Sequence, residues 1–150
     1  MIEYHPNATT GWVVDVPGQP ATFWPRVIAA YDRLGIPVGE TDTKAYLLGT
    51  SSIRVTSRLG GTRLSEYLDC GSGPIGNPAA DAYVVTLRAT TELKPGSQVS
   101  APFTTIRTLL SATAKPNTTQ GDPVVCASTG LLETRIARLI TTDTATTTGR

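Results

Sequence analysis

Cys70 and Cys126 are the only two cysteines of this 150-residue chain, and no other side chain in it is a thiol nucleophile. A redox or zinc site would call for cysteines two residues apart, and these lie far apart along the chain. The single histidine, His5, is the one residue that could complete a zinc site or act as base to a serine or cysteine. It sits in an N-terminal segment with little to hold it rigid, so a nucleophile, base and orienting group are not assembled. Asp69, next to Cys70, opposes thiolate formation there. Both cysteines are set in turn-forming surroundings, Tyr67-Leu-Asp-Cys70-Gly-Ser-Gly-Pro74 and Val124-Val-Cys126-Ala-Ser-Thr-Gly130. Two readings of the pair stand: a disulfide, as in an oxidising compartment, or two buried free thiols. A disulfide closing so long a loop would stabilise the fold by roughly 4 kcal/mol on the chain-entropy argument.

The carboxylates Asp15, Asp32, Glu40, Asp42, Glu66, Asp69 and Asp81 fall in turns or on polar faces, and their spacing does not ask for an acid–base couple. Gly71-Ser-Gly-Pro-Ile-Gly76 has the glycines of a phosphate loop but no Lys-Ser/Thr ending and no following helix, so it reads as an ordinary loop. Trp12, Trp24 and Tyr31 are candidates to line an apolar pocket, or simply to fill a core. Arg54, Arg58 and Arg63 spread along one strand-like stretch and read as a solvated edge. Asn7-Ala-Thr9 and Asn117-Thr-Thr119 match glycosylation sequons, as a Thr-rich chain will by chance. Catalytic, cofactor-binding and metal-ligating residues are therefore expected to be absent.

The bulk composition agrees. Hydrophobic residues make up 39% and charged residues 17%, the balance being Thr, Ser, Gly and Pro. The length suits one domain with its own core. A net charge of +1 gives no field to draw in nucleic acid or anionic lipid. No run approaches the ~20 apolar residues that span a bilayer. The opening Met1-Ile-Glu-Tyr-His-Pro has neither the basic start nor the apolar centre of a secretory signal, so an exported form is expected to have lost its leader or anchor, or to be numbered from a later start.

The elements that must position these residues read as follows. Residues 1–10 are an extended N-terminal segment, 11–140 a single α+β domain, and 141–150 a Thr-rich tail expected to be disordered alone. Residues 11–16 form a first strand. A helix starts at Ala21 or Thr22, with Pro25 in its first turn, buries Phe23, Val27, Ala30, Tyr31 and Leu34, and stops at Gly35. Val38 to Leu48 is hairpin-like about Asp42-Thr-Lys44. Thr50 to Leu59 is a strand with Ile53, Val55 and Ser57 on one face and Arg54, Thr56 and Arg58 on the other, broken by Gly60-Gly61. Leu64–Leu68 is a single helical turn, and 71–80 an exposed loop. Residues 82–90 form the clearest strand, turned back at Lys94-Pro-Gly-Ser97 onto an antiparallel partner over 99–114. Pro116 to Pro123 is a polar turn. A last helix runs from Ser128 or Thr129 to Ile140, with Leu131, Leu132, Ile136, Leu139 and Ile140 inward and Glu133, Arg135 and Arg138 outward. An antiparallel sheet packed against two helices in the order β-α-β-β-β-β-α buries both apolar stripes.

In Phe23-Trp-Pro-Arg-Val-Ile-Ala-Ala-Tyr-Asp-Arg-Leu-Gly-Ile-Pro37 the chain resembles the first helix of envelope domains related to the BamC lipoprotein, in which a short strand, a Trp-Pro helix ending in Leu-Gly, a β-meander and a C-terminal helix make a helix-grip fold. Leu59-Gly-Gly-Thr62 and Tyr67-Leu-Asp-Cys-Gly71 are similar to motifs of uncharacterised bacterial exported proteins, which pair that cysteine with one before the last helix, here Cys126-Ala-Ser-Thr-Gly130. The likeness covers roughly residues 11–140. It implies a Cys70–Cys126 disulfide and a periplasmic, non-enzymatic accessory subunit, peripheral to a membrane. Such a subunit binds protein chains of a membrane complex (outer-membrane assembly, respiratory or photosynthetic) through its termini and loops, without cofactor, nucleic acid or small-molecule substrate. The alternative it implies is a lipid- or small-ligand-binding helix-grip domain with its pocket between sheet and helices.

Overall fold

Two 14-residue strands, β8 (Val84–Ser97) and β9 (Pro102–Lys115), pair antiparallel along their whole length and form the spine of the molecule. The computed structural model describes residues 12–97, 101–116 and 121–148. His5, the extended segment 1–10 and both sequons lie outside the described residues. Ahead of the spine come β1 (Trp12–Pro17), α1 (Pro20–Arg33), β2 (Glu40–Asp42), β3 (Leu47–Gly49), β4 (Ile53–Thr56), β5 (Arg58–Leu59), β6 (Thr62–Arg63), α2 (Leu64–Tyr67), β7 (Leu68–Asp69), a 3-10 turn (Pro74–Gly76) and α3 (Ala79–Ala82). After it follow β10 (Val124–Val125), β11 (Ala127–Ser128) and α4 (Leu131–Thr148). The fold is α+β, as expected. β1 and β10 flank β9, while β3 and β4 flank β8, with β2 outermost beside β3, and every pairing is antiparallel.

Alternation along the spine explains which face is covered. Val85, Leu87, Ala89, Thr91 and Leu93 of β8 are buried, with Thr104, Ile106, Thr108, Ala112 and Ala114 of β9 and Val14 and Val16 of β1. Onto that face fold Phe23, Val27, Ala30 and Tyr31 of α1 and Leu132, Ile136, Ala137 and Ile140 of α4. Arg26 ties the two helices by donating to the Ile140 carbonyl at 3.0 Å. The C-terminus of α1 closes as a Schellman motif: Ile36 N–H donates to the Tyr31 carbonyl and Gly35 N–H to that of Asp32, with Gly35 at φ +78°.

Five expectations need correction. First, α1 begins at Pro20, so Pro25 lies in its second turn rather than the first. Second, β8 runs through Lys94-Pro-Gly-Ser97, and the chain reverses between Ser97 and Pro102. Leu93 N–H donates to Tyr46 on the β3 side, so Pro95, two residues on, turns its missing donor towards that side, beyond Leu47, the first residue of β3. Third, the strand over 50–59 ends at Thr56: Ser57 adopts φ +71°, and Arg58–Leu59 pairs back onto Thr62–Arg63 across Gly60-Gly61. Fourth, Ala79 and Ala80, expected in an exposed loop, are buried in α3. Fifth, α4 continues to Thr148 through the Thr-rich stretch. The hydroxyls of Thr141 and Thr142 donate back to the Arg138 carbonyl, one turn earlier, which satisfies them within the helix.

Candidate functional site

Strand pairing places the cysteines. Ala127 lies opposite Asp69 in the β7–β11 pair, so one step along the antiparallel ladder sets Cys126 opposite Cys70. The two are joined by a disulfide, S–S 2.02 Å and Cα–Cα 4.3 Å. Cys126 also connects two sheets: β10, just before it, pairs with β9, and its own N–H donates to the Ala112 carbonyl at 2.9 Å. The bond therefore fastens the small β7–β11 sheet, and with it the start of α4, to the main sheet. It is consistent with an oxidising compartment.

Directly after Cys70 the chain leaves the body of the molecule and returns. Asp69 accepts from Gly71 N–H, Gly73 N–H donates to Asn77, Ala79 N–H donates to Gly71, and Ser72 bridges Pro78. Asp81, at the return, accepts from Ser65 N–H at 2.8 Å, Ser65 Oγ at 2.7 Å and Arg63 at 3.1 Å. Burial works to raise the Asp81 pKa, but the Ser65 and Arg63 hydrogen bonds outweigh it and hold the carboxyl below its usual range. At the tip of this braced loop Ile75 is 98% exposed, with φ +58°. Both features are costly for a β-branched apolar residue.

A cleft of about 400 Å³ opens where the end of α1, the β5–β6 hairpin, α2 and α4 meet. Arg33, Arg135 and Arg138 line it, with Tyr67, Thr62, Thr142, Leu34, Leu139 and Gly60, and no carboxylate is among the lining residues. Arg135 is held in place by donating to Thr62 Oγ1 at 3.1 Å and Tyr67 Oη at 2.9 Å, with its guanidinium 5.5 Å from the Tyr67 ring centroid. The wall at Gly60 is set by close packing: a Cβ there would overlap the Leu34 carbonyl, and Gly60 is at φ +59°. Sequence reasoning misses this site, because nothing in the sequence singles out Arg33, and Arg135 and Arg138 read only as the outer face of the last helix. Their i, i+3 spacing was the one available signal.

A second surface groove, about 390 Å³, runs over the uncovered side of the sheet past Thr86, Arg88, Ser111, Thr113 and Val125. Neither groove is lined by Trp12, Trp24 or Tyr31. Tyr31 is core, Trp24 meets Tyr46 edge-on at 5.6 Å, and the Trp12 ring lies against Gly130. The carboxylates serve structure: Asp42 Oδ1 accepts from Lys44 and Ala45 N–H, and Asp15 from Thr105. Glu133 departs from the expected outer face and is 3% exposed, because it shares the 133, 136, 137, 140 stripe that faces the sheet. Its Oε2 accepts from Ser128 at 2.6 Å, its Oε1 has no partner, and burial pushes its pKa up. Among the described residues no group of three or more His, Cys, Asp or Glu could hold a metal ion, and no helix is long and apolar enough to cross a membrane. Set against models of known protein families the chain matches none, and set against curated proteins it likewise matches none.

Proposed function

We propose that this chain is a non-enzymatic accessory subunit on the periplasmic side of a bacterial membrane complex, built on a BamC-like helix-grip plan and gripping partner chains through the 71–80 loop, its strand edges and its termini. The observation that carries this reading is Ile75. An isoleucine held outside the fold, in a backbone conformation that costs about 1–3 kcal/mol, on a loop braced at its base by Asp69, Asp81 and the disulfide, is suited to insert into an apolar pocket of another protein. The helix-grip assignment draws support from α1 and α4 lying side by side on one face of the antiparallel sheet. The periplasmic assignment draws support from the disulfide.

The test is site-specific photo-crosslinking in native bacterial membranes with the probe at position 75, and at exposed Lys44 as the reference. A discrete cross-linked partner from position 75, lost from Ile75→Asp protein in co-purification, is the expected result. Equal, diffuse labelling from both positions would sink the proposal.

A further inference from the structure

The arginine-lined cleft has a chemistry of its own, independent of the accessory-subunit reading. Three arginines line one concavity in a chain whose net charge is only +1. A cation in the last turn of a helix is favoured by the helix dipole, which accounts for Arg33 but not for Arg135 or Arg138 of α4. Among the described residues neither Arg33 nor Arg138 forms an ion pair, and Arg135, the half-buried member, is held by two hydroxyls, neither of which neutralises its charge. Like charges gathered without a counter-charge repel one another, and an anion seated among them relieves that repulsion. The walls are not polar throughout: Leu34 and Leu139 face the same space. Its volume, about 400 Å³, lies within the range of sites for small organic ligands, which are typically about 300–1,000 Å³.

We infer that this cleft binds a small organic anion, its carboxylate or phosphate head among Arg33, Arg135 and Arg138 and its apolar body against Leu34 and Leu139. Arg135, already positioned by Thr62 and Tyr67, supplies a fixed fork, while the two exposed arginines close on the head group from either side.

Titration of the full chain with benzoate and phenyl phosphate, against acetate and inorganic phosphate carrying the same heads without the ring, tests this by calorimetry. Saturable binding is expected for at least one aromatic anion, at least 10-fold tighter than for its ringless counterpart and weakening as salt is raised. Whichever aromatic anion binds more tightly identifies the head group. The double variant Arg33→Gln/Arg138→Gln changes only exposed side chains, so it should keep its thermal midpoint while losing at least 10-fold in affinity. No saturable binding, equal affinity with and without the ring, or unaltered affinity in a folded double variant each overturns the inference. None of these outcomes bears on cross-linking from Ile75, so the two readings fail separately.

Discussion

The Tyr31 phenol of α1 reaches through the core to the sheet, its oxygen 2.9 Å from the hydroxyl of Thr91, which stands 3.1 Å from that of Thr108 on the neighbouring strand. All three side chains are buried. The two ways of breaking this chain should therefore differ. Tyr31→Phe leaves Thr91 and Thr108 bonded to each other and should cost about 1 kcal/mol. Thr91→Val strands the Tyr31 hydroxyl in the core and should cost more, about 1–3 kcal/mol. Urea denaturation of both variants checks the order; an equal or reversed ranking contradicts the network.

The same phenol should give the protein an alkaline limit. Burial pushes the Tyr31 pKa up from 10.0 to about 12, and the Thr91 hydrogen bond offsets only part of that. The folded state thus holds this proton more tightly than the unfolded chain. Its contribution is complete below about pH 10 and is lost as pH rises towards about 12, amounting to about 3 kcal/mol over the two units. Stability measured from pH 9 to 12 should fall along this segment in the wild type and fall less in Tyr31→Phe.

Glu133 predicts a slope on the acid side. Its pKa is raised, so its burial favours the protonated form: the contribution is fully present below the unfolded carboxyl pKa and fades as pH rises through the higher folded value. Glu133→Gln should hold at neutral pH the stability that the wild type reaches only on acidification, flattening that part of the pH profile. Melting temperatures of both proteins from pH 4 to 8 provide the measurement. A Gln variant less stable than wild type at pH 7 argues that the charged form has a partner beyond Ser128.

Removing the disulfide should cost about 4 kcal/mol for the loop closed between Cys70 and Cys126. Intact mass before and after reduction, with denaturation midpoints of wild type and the Cys70→Ala/Cys126→Ala double variant, tests this. Two alkylatable thiols in the unreduced native protein would exclude the bond.

At the β5–β6 turn, neighbouring glycines should respond unequally. A Cβ at Gly61 meets open space, so Gly61→Ala should pay only for its positive φ, about 1–2 kcal/mol. A Cβ at Gly60 runs into the Leu34 carbonyl, and Gly60→Ala should cost roughly 3 kcal/mol or more by forcing the hairpin away from α1. Thermal melts of the two variants decide it.

Much of this architecture was legible in the residues. The Phe23, Val27, Ala30, Tyr31 stripe and Gly35 marked α1, and the β-branched run ahead of Thr90 marked β8, because side-chain periodicity and the glycine stop act locally. Lys94-Pro-Gly-Ser97 misled because turn chemistry is local while strand continuation is tertiary: Gly96 is needed there as a floor for the Phe103 ring across the ladder. Ser57 gave no sign of its left-handed backbone, since nothing in its side chain requires it. The arginine cleft was illegible for a different reason. Arg33, Thr62, Tyr67 and Arg135 come from four elements, and only the packing of α1, α2 and the β5–β6 hairpin about α4 brings them together.

The buried threonines of the spine carry a consequence for how the sheet chooses its register. In two 14-residue strands alternating apolar and polar residues, a slip of two positions keeps every inward side chain inward, so the hydrophobic pattern alone accepts several alignments. The hydroxyls do not. Only with Thr91 opposite Thr108 do both lie beneath Tyr31, and only then does each of these buried oxygens have a partner. A slipped hairpin would leave polar groups stranded in the core, so this threonine pair, with few apolar atoms to contribute to packing, selects one alignment from those the apolar residues would tolerate.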